Sequence, residues 1–423
     1  MIKLIEKCLK EYSEISDWLI TETVTDSSQA FYVMQKLETT RKTLTKEYTI
    51  ALYHRFMEND NEYVGSSSFK ISHKLRKSDL KKLIEEALFA ATFVKNKAYP
   101  LVQGDKKRSW KEKTIEIDPF ELMDQIASIY NFESTTNKKF NAMELFYTKS
   151  IVHIVNSLNV NLKKTTNAVF IEAIPSYDGD IQKVELYKHF NYKNIDLSQI
   201  KQDAKNALKE VEARYYAISL KNVSKIDVII KDQEVEQFFE NLIEDYSYVS
   251  IYKKSTDKVI GDPIQKDIVG EKLDISYIPS SKANAFDADG VLLSPVQVIK
   301  QGILMNYYGS NQYAQYLGIK PTGYLDKINV NKGKSSLSSM TKKPHLEILA
   351  LSGIQIDMYT SYIGGEVRLA QYFDGTKYIP VSGFSFSGNI DKCLSNLILS
   401  KETVSLEHYS GPKYIKLLQM EIV

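Results

Sequence analysis

The side chains in this 423-residue sequence best suited to gripping a metal or attacking a carbonyl are six histidines and two cysteines. A catalytic zinc helix places two imidazoles within one or two turns of each other. Here the closest pair, His54 and His73, stands nineteen residues apart, and His153, His189, His345 and His408 are scattered more widely. Each reads, taken alone, as a surface or hydrogen-bonded structural residue. Cys8 and Cys393 are too few for a disulfide framework or a four-ligand zinc site. Cys393 has no histidine beside it in sequence, so a buried thiol is the expectation and a nucleophile the alternative. There is no G-x-S-x-G elbow and no glycine-rich phosphate loop. Asp287 and Asp289 could bind a cation, but Gly290 directly after them favours a turn. From residue types alone, the chain shows no self-sufficient active site.

The totals point the same way. Apolar residues make up 43% and charged residues 26%, ordinary values for globular domains. Lys and Arg number 55 against 53 Asp and Glu, a net charge of +2. Nucleic-acid binders concentrate basic residues to neutralise phosphates, whereas here they are interleaved with acids, which argues against direct DNA contact. The N-terminal apolar residues are interrupted by charge, and no run approaches the ~20 apolar residues of a membrane helix. A cytoplasmic protein is expected.

The elements that must position any site follow from periodicity. Ile2, Ile5, Leu9 and Tyr12 predict an opening helix. Residues 18–25, 30–39, 48–57 and 63–71 are rich in β-branched and aromatic residues and predict antiparallel strands. Ser78 reads as an N-cap before Leu80, Ile84, Ala87 and Ala91, and Asp118-Pro119 as a second helix start. Strands are predicted at 142–155, 168–174 and 226–230, and helices at 197–213 and 235–246. After residue 250 strands and loops dominate, with a helical interlude near 295–308 and a polar surface loop at 329–344. Gly364-Gly365 and Gly375 read as bulges or turns. The fold class is therefore α+β: an N-terminal antiparallel sheet with flanking helices over residues 1–220, then a mainly β domain over 221–423.

One long stretch carries a family likeness. Phe286-Asp-Ala-Asp-Gly290, followed by Gly302, Leu304, Ala314, Leu317, Gly318, Thr322 and Gly323, resembles the segment of the TldD/PmbA peptidase family in which a D-x-D/E-G turn leads to G-x-L, L-G and T-G. Tyr252-Lys-Lys-Ser-Thr256 resembles its Y-R-K-S-T, and Phe384-Ser-Phe-Ser-Gly-Asn-Ile390 its I-x-I-S-G-N-L. TldD-type members carry H-E-x-x-x-H on a helix and a later Cys as metal ligands; PmbA-type (TldE) members lack them and pair with a TldD-type chain. Aligned here, that motif falls on Phe239, Glu240 and Glu244, so both imidazoles are replaced, and Glu407-His-Tyr-Ser-Gly411 offers no thiol where the Cys would lie. Glu240 on its own reads as a solvated helix residue.

The resemblance implies a non-catalytic, TldE-like pseudoenzyme subunit of a heterodimeric metallopeptidase acting on unfolded or precursor peptides. Any zinc would belong to the TldD-like partner and none to this chain. Such a role calls for an open strand edge, and Phe384, Ser385, Phe386, Ser387, Gly388 and Asn389 are the expected peptide-binding strand. The alternatives are a stand-alone hydrolase or peptide-binding homodimer, and a gyrase- or DNA-associated modulator.

Overall fold

The computed structural model describes residues 1–72, 75–113, 117–193 and 195–423, so His73 lies outside the described residues. Among these, three sheets form. The first is built on strands of unusual length, Asp17–Val33, Lys36–Glu58, Lys138–Asn156 and Asn161–Asp178, where a typical strand has about five or six residues. Antiparallel pairing runs outward from Asp17–Val33, to Lys36–Glu58 and Asn61–Ile71 on one side and to Lys138–Asn156 and Asn161–Asp178 on the other.

Period-two alternation puts Trp18, Ile20, Ala30 and Tyr32 on one face, and that face is covered twice. Ile2–Leu9 and Lys77–Ala91 close one end over Trp18, Ile20, Ile50 and Leu52. Pro119–Glu133 and Leu197–Tyr216 close the other over Tyr32, Leu145 and Ile171. Both latter helices begin at an aspartate. Asp118 Oδ1 accepts from the Phe120 and Glu121 amides at 2.9 and 3.3 Å, and Asp196 Oδ1 from Ser198 and Gln199 at 2.9 and 3.3 Å.

The chain from residue 225 onward forms the other two sheets. One is ordered Lys225–Lys231, His345–Asp357, Tyr362–Phe373, Phe384–Asn389, Tyr414–Ile422 and Ile398–Leu399; the other includes Ile275–Ile278, Val296–Lys300 and Lys327–Val330. A single apolar cluster gathers residues of both sheets around the helix Gln233–Glu244. No helix among the described residues is long and apolar enough to cross a membrane.

Several local expectations need correction. The strand expected at 30–39 is broken by Met34-Gln35, a two-residue turn with φ of 48° and 67°. Tight hairpins need such angles, but Met and Gln do not advertise them. The helix expected to be capped by Ser78 starts at Lys77, with Arg76 extended before it and no side-chain cap. The helical interlude at 295–308 is two short strands, Val296–Lys300 and Ile303–Leu304, turned by Gln301 and Gly302 at φ 50° and 79°. A run of mixed apolar residues has no period strong enough to separate the two states. Residues 329–344 are pinned rather than looped out. Val330 and Met340 are buried, and backbone bonds join Gly333 to Ser400 and Lys401 to Ser335.

Candidate functional site

The helix Gln233–Glu244 is the element on which the family likeness places its chemistry. Val235, Phe238, Phe239, Leu242 and Ile243 bury its apolar stripe. Polar side chains fix its rotation against the bulged strand His345–Asp357. Glu234 Oε1 accepts from the Leu351 amide at 3.1 Å, Gln237 Oε1 from Ile354 at 3.2 Å, and Asn241 donates to the Ile354 carbonyl at 2.6 Å. With that side anchored, Glu236, Glu240 and Glu244, each one turn beyond the last, share another face.

Opposite them lies the segment 407–411. His408 Nδ1 meets the Asp326 carbonyl at 2.8 Å; since a carbonyl only accepts, Nδ1 carries the proton. Its Nε2 lies 3.6 Å from Glu407 Oε2. Lys327 donates to Ser405 Oγ and the Leu406 carbonyl at 3.0 and 2.7 Å, and burial lowers its ammonium. Lys193, at the end of the N-terminal sheet, reaches Ser280, whose hydroxyl and amide both engage Asp326. Tyr277 is pushed up to about 12 by burial, then by Glu240 and Asp326.

The carboxylates feel one another. Glu236 rises to about 7, first through desolvation and then through Glu240, with His408 pulling the other way. Desolvation and Glu244 raise Glu240 too, against the pull of His408, although its own surface is exposed. A carboxyl near 7 is half protonated at neutral pH and can both accept and release a proton. The sequence carried a sign of this in the four-residue spacing of three glutamates. Glu236 and the surrounding Tyr277, Lys327 and Lys193 were not foreseen, because only the fold assembles them.

The degenerate positions do not fit a hydrolytic cation. Phe239 is fully buried, its ring stacked on Tyr409 at 5.9 Å and 7°, so it is packed in the core and supplies no ligand. Among the described residues no three His, Cys, Asp or Glu side chains form a set that could hold one ion. Cys393 is buried with its thiol 3.5 Å from the Met420 sulfur, and burial pushes it up to about 12, which removes the thiolate a nucleophile needs.

Asp287 is consumed by backbone. Its Oδ1 accepts from Asp289 and Val291 at 3.0 and 2.9 Å, and its Oδ2 from Tyr324 at 3.1 Å. Gly290 turns the chain at φ 87°. The turn docks on the N-terminal sheet, with Phe286 buried among Ile154, Val160 and Leu162, and Lys164 donating to the Phe286 carbonyl at 2.9 Å. The D-x-D-G motif is thus a joint between sheets.

Phe384–Asn389 is not the open edge expected of a peptide-binding strand. Tyr362–Phe373 pairs along all six of its residues, and Phe386 and Ser387 pair with Ile422 and Glu421 on the other side, continued by reciprocal bonds between Ser385 and Val423 at 2.9 Å. Phe384 and Phe386 point into the core. Ser385, Ser387 and Gly388 are half-buried and Asn389 is exposed, so any contact with a ligand would come from side chains of that face.

Residues 223–423 match the profile of the PmbA/TldA metallopeptidase C-terminal domain. None of the curated proteins compared is significantly similar in sequence. Three solved structures share the whole fold. TldE from Thermococcus kodakarensis has a TM-score of 0.78 at 15% identity, over 100% of this chain and 99% of that one. A proposed modulator of a DNA gyrase from Thermotoga maritima has a TM-score of 0.75 at 12% identity, over 100% of both chains. A proposed modulator of DNA gyrase from Bacteroides thetaiotaomicron has a TM-score of 0.80 at 12% identity, over 100% and 98%. At these identities the likeness speaks for fold alone.

Proposed function

Through residues 223–423 this chain belongs to the TldD/PmbA family, and from that premise we propose that it is a TldE-like, non-catalytic subunit that pairs with a metal-bearing TldD-like chain and helps enclose unfolded or precursor peptides. The supporting observation is the placement of Phe239. A benzene ring buried on Tyr409 stands where an imidazole would be required, and the neighbouring face offers carboxylates with one outlying histidine. A glutamate without a metal-bound water has no nucleophile to activate. In this reading Glu236, Glu240 and Glu244 shape the charge of an inner wall, and zinc is the partner's. The protein would act in the cytoplasm.

Co-expression tests it directly. A relative bearing H-E-x-x-x-H should co-purify with this chain, and peptide cleavage should require both. Stoichiometric zinc and peptide turnover in the isolated chain would overturn the proposal.

A further inference from the structure

The N-terminal sheet does have an open edge, far in sequence from the strand expected to provide one. Lys36–Glu58 pairs with Asp17–Val33 from Lys36 to Tyr53, but Asn61–Ile71 covers only Tyr48 to Glu58 on its outer side. Among the described residues nothing pairs with the outer side of residues 36–47. Ten of these twelve residues are exposed, only Thr43 and Glu47 being half-buried, and Leu37 and Leu44 are 51% and 73% exposed. Alternate residues of such a run direct N–H and C=O outward, a ready ladder for one more strand.

The charges on this edge discriminate among occupants. It carries Lys36, Arg41, Lys42 and Lys46 against Glu38 and Glu47. Lys46 is held by Glu22 at 2.6 Å, and Glu47 is held by Lys70 at 3.1 Å. Lys36, Arg41 and Lys42 have no acidic partner among the described residues. A second copy docked antiparallel about a two-fold normal to the sheet can oppose only residues of the same face, so an axis centred on this edge sets Arg41 against Arg41, or Lys42 against Lys42, of the other copy, a like-charge contact that disfavours self-pairing. The same cations attract an acidic strand.

We propose that the outer edge of residues 36–47 is a docking strand for an extended acidic peptide, held by backbone hydrogen bonds and oriented by Lys36, Arg41 and Lys42. Only the isolated chain is needed, so the proposal stands or falls separately from the subunit reading.

The test is fluorescence anisotropy with a labelled peptide alternating glutamate and threonine, as long as the edge. The acidic peptide should bind, and its lysine-for-glutamate counterpart should not. N-methylating alternate amides, which removes strand donors and leaves the protein untouched, should abolish binding. Lys36→Glu with Lys42→Glu should weaken it about tenfold or more, with the thermal melt unchanged because both side chains are exposed. Absent binding, equal binding of the basic peptide, or indifference to N-methylation or to the double substitution would overturn the proposal. So would light scattering that shows a dimer disrupted by the same substitution, since the edge would then belong to a second copy.

Discussion

Glu236 and Glu240 stand one turn apart on the same helix, a spacing at which like charges repel. The fold relieves this by protonation: Glu236 is held near 7 against an ordinary 4.5 by burial and by Glu240. A raised carboxyl favours the folded state most below about pH 4.5, and that advantage disappears as pH rises through about 7. Glu236→Gln cannot ionise, so it should gain stability over the parent by about 1–2 kcal/mol near pH 8 and show little difference near pH 4.5. Chemical denaturation at the two pH values measures this; a pH-independent difference would refute it. Phe239 makes the complementary case. It is fully buried and stacked on Tyr409, so Phe239→Ala should cost about 3–5 kcal/mol, read as a lower denaturation midpoint. A cost under about 1 kcal/mol would mean that this position is not core.

At the scale of elements, legibility followed the strength of the local signal. Asp118-Pro119 and the apolar residues of Gln233–Glu244 announced their helices, because caps and a 3.6-residue period are written in a few adjacent side chains. Met34-Gln35 concealed its turn, and the polar composition of 329–344 concealed backbone pairing that composition does not encode. The candidate site was legible as a helix and as the segment 407–411, but Lys193 and Tyr277 reach it from strands and loops far away in sequence. The openness of an edge was the least legible property. It depends on which strand ends first, and Asn61–Ile71 ends short of residues 36–47 while Phe384–Asn389 is enclosed. The D-x-D-G turn shows how a motif can serve architecture. Gly290 combines φ 87° with a Cβ position 3.0 Å from Val160 Cγ1. Gly290→Ala should therefore destabilise the protein by about 1–3 kcal/mol, measured by denaturant unfolding, and Val160→Ala in the same chain should recover the steric part but not the backbone part.

Over the whole molecule, apolar side chains fall into separate clusters. Two lie under the helices of the N-terminal sheet and one fills the space around Gln233–Glu244. A small fourth cluster joins them, in which Phe286 from the turn sits among Ile154, Val160 and Leu162, with Trp110 at 5.8 Å and the Lys164 ammonium 4.8 Å from its ring. Each large cluster is closed by its own sheet and helices, so each can persist without the other, while cooperativity between them passes through this joint and its neighbours and through a second contact, where Ile218 and Arg214 bond residues 380–382. Removing the Phe286 ring takes away an apolar contact at the centre of the joint and the partner of a half-buried cation, yet leaves the three main clusters intact. Phe286→Ala should therefore do more than lower the melting temperature. Calorimetry should resolve two transitions where the parent shows one, and proteolysis during the first should cut near residues 215–225, the proposed boundary between the halves. A single transition displaced to lower temperature would mean that the two halves form one cooperative unit.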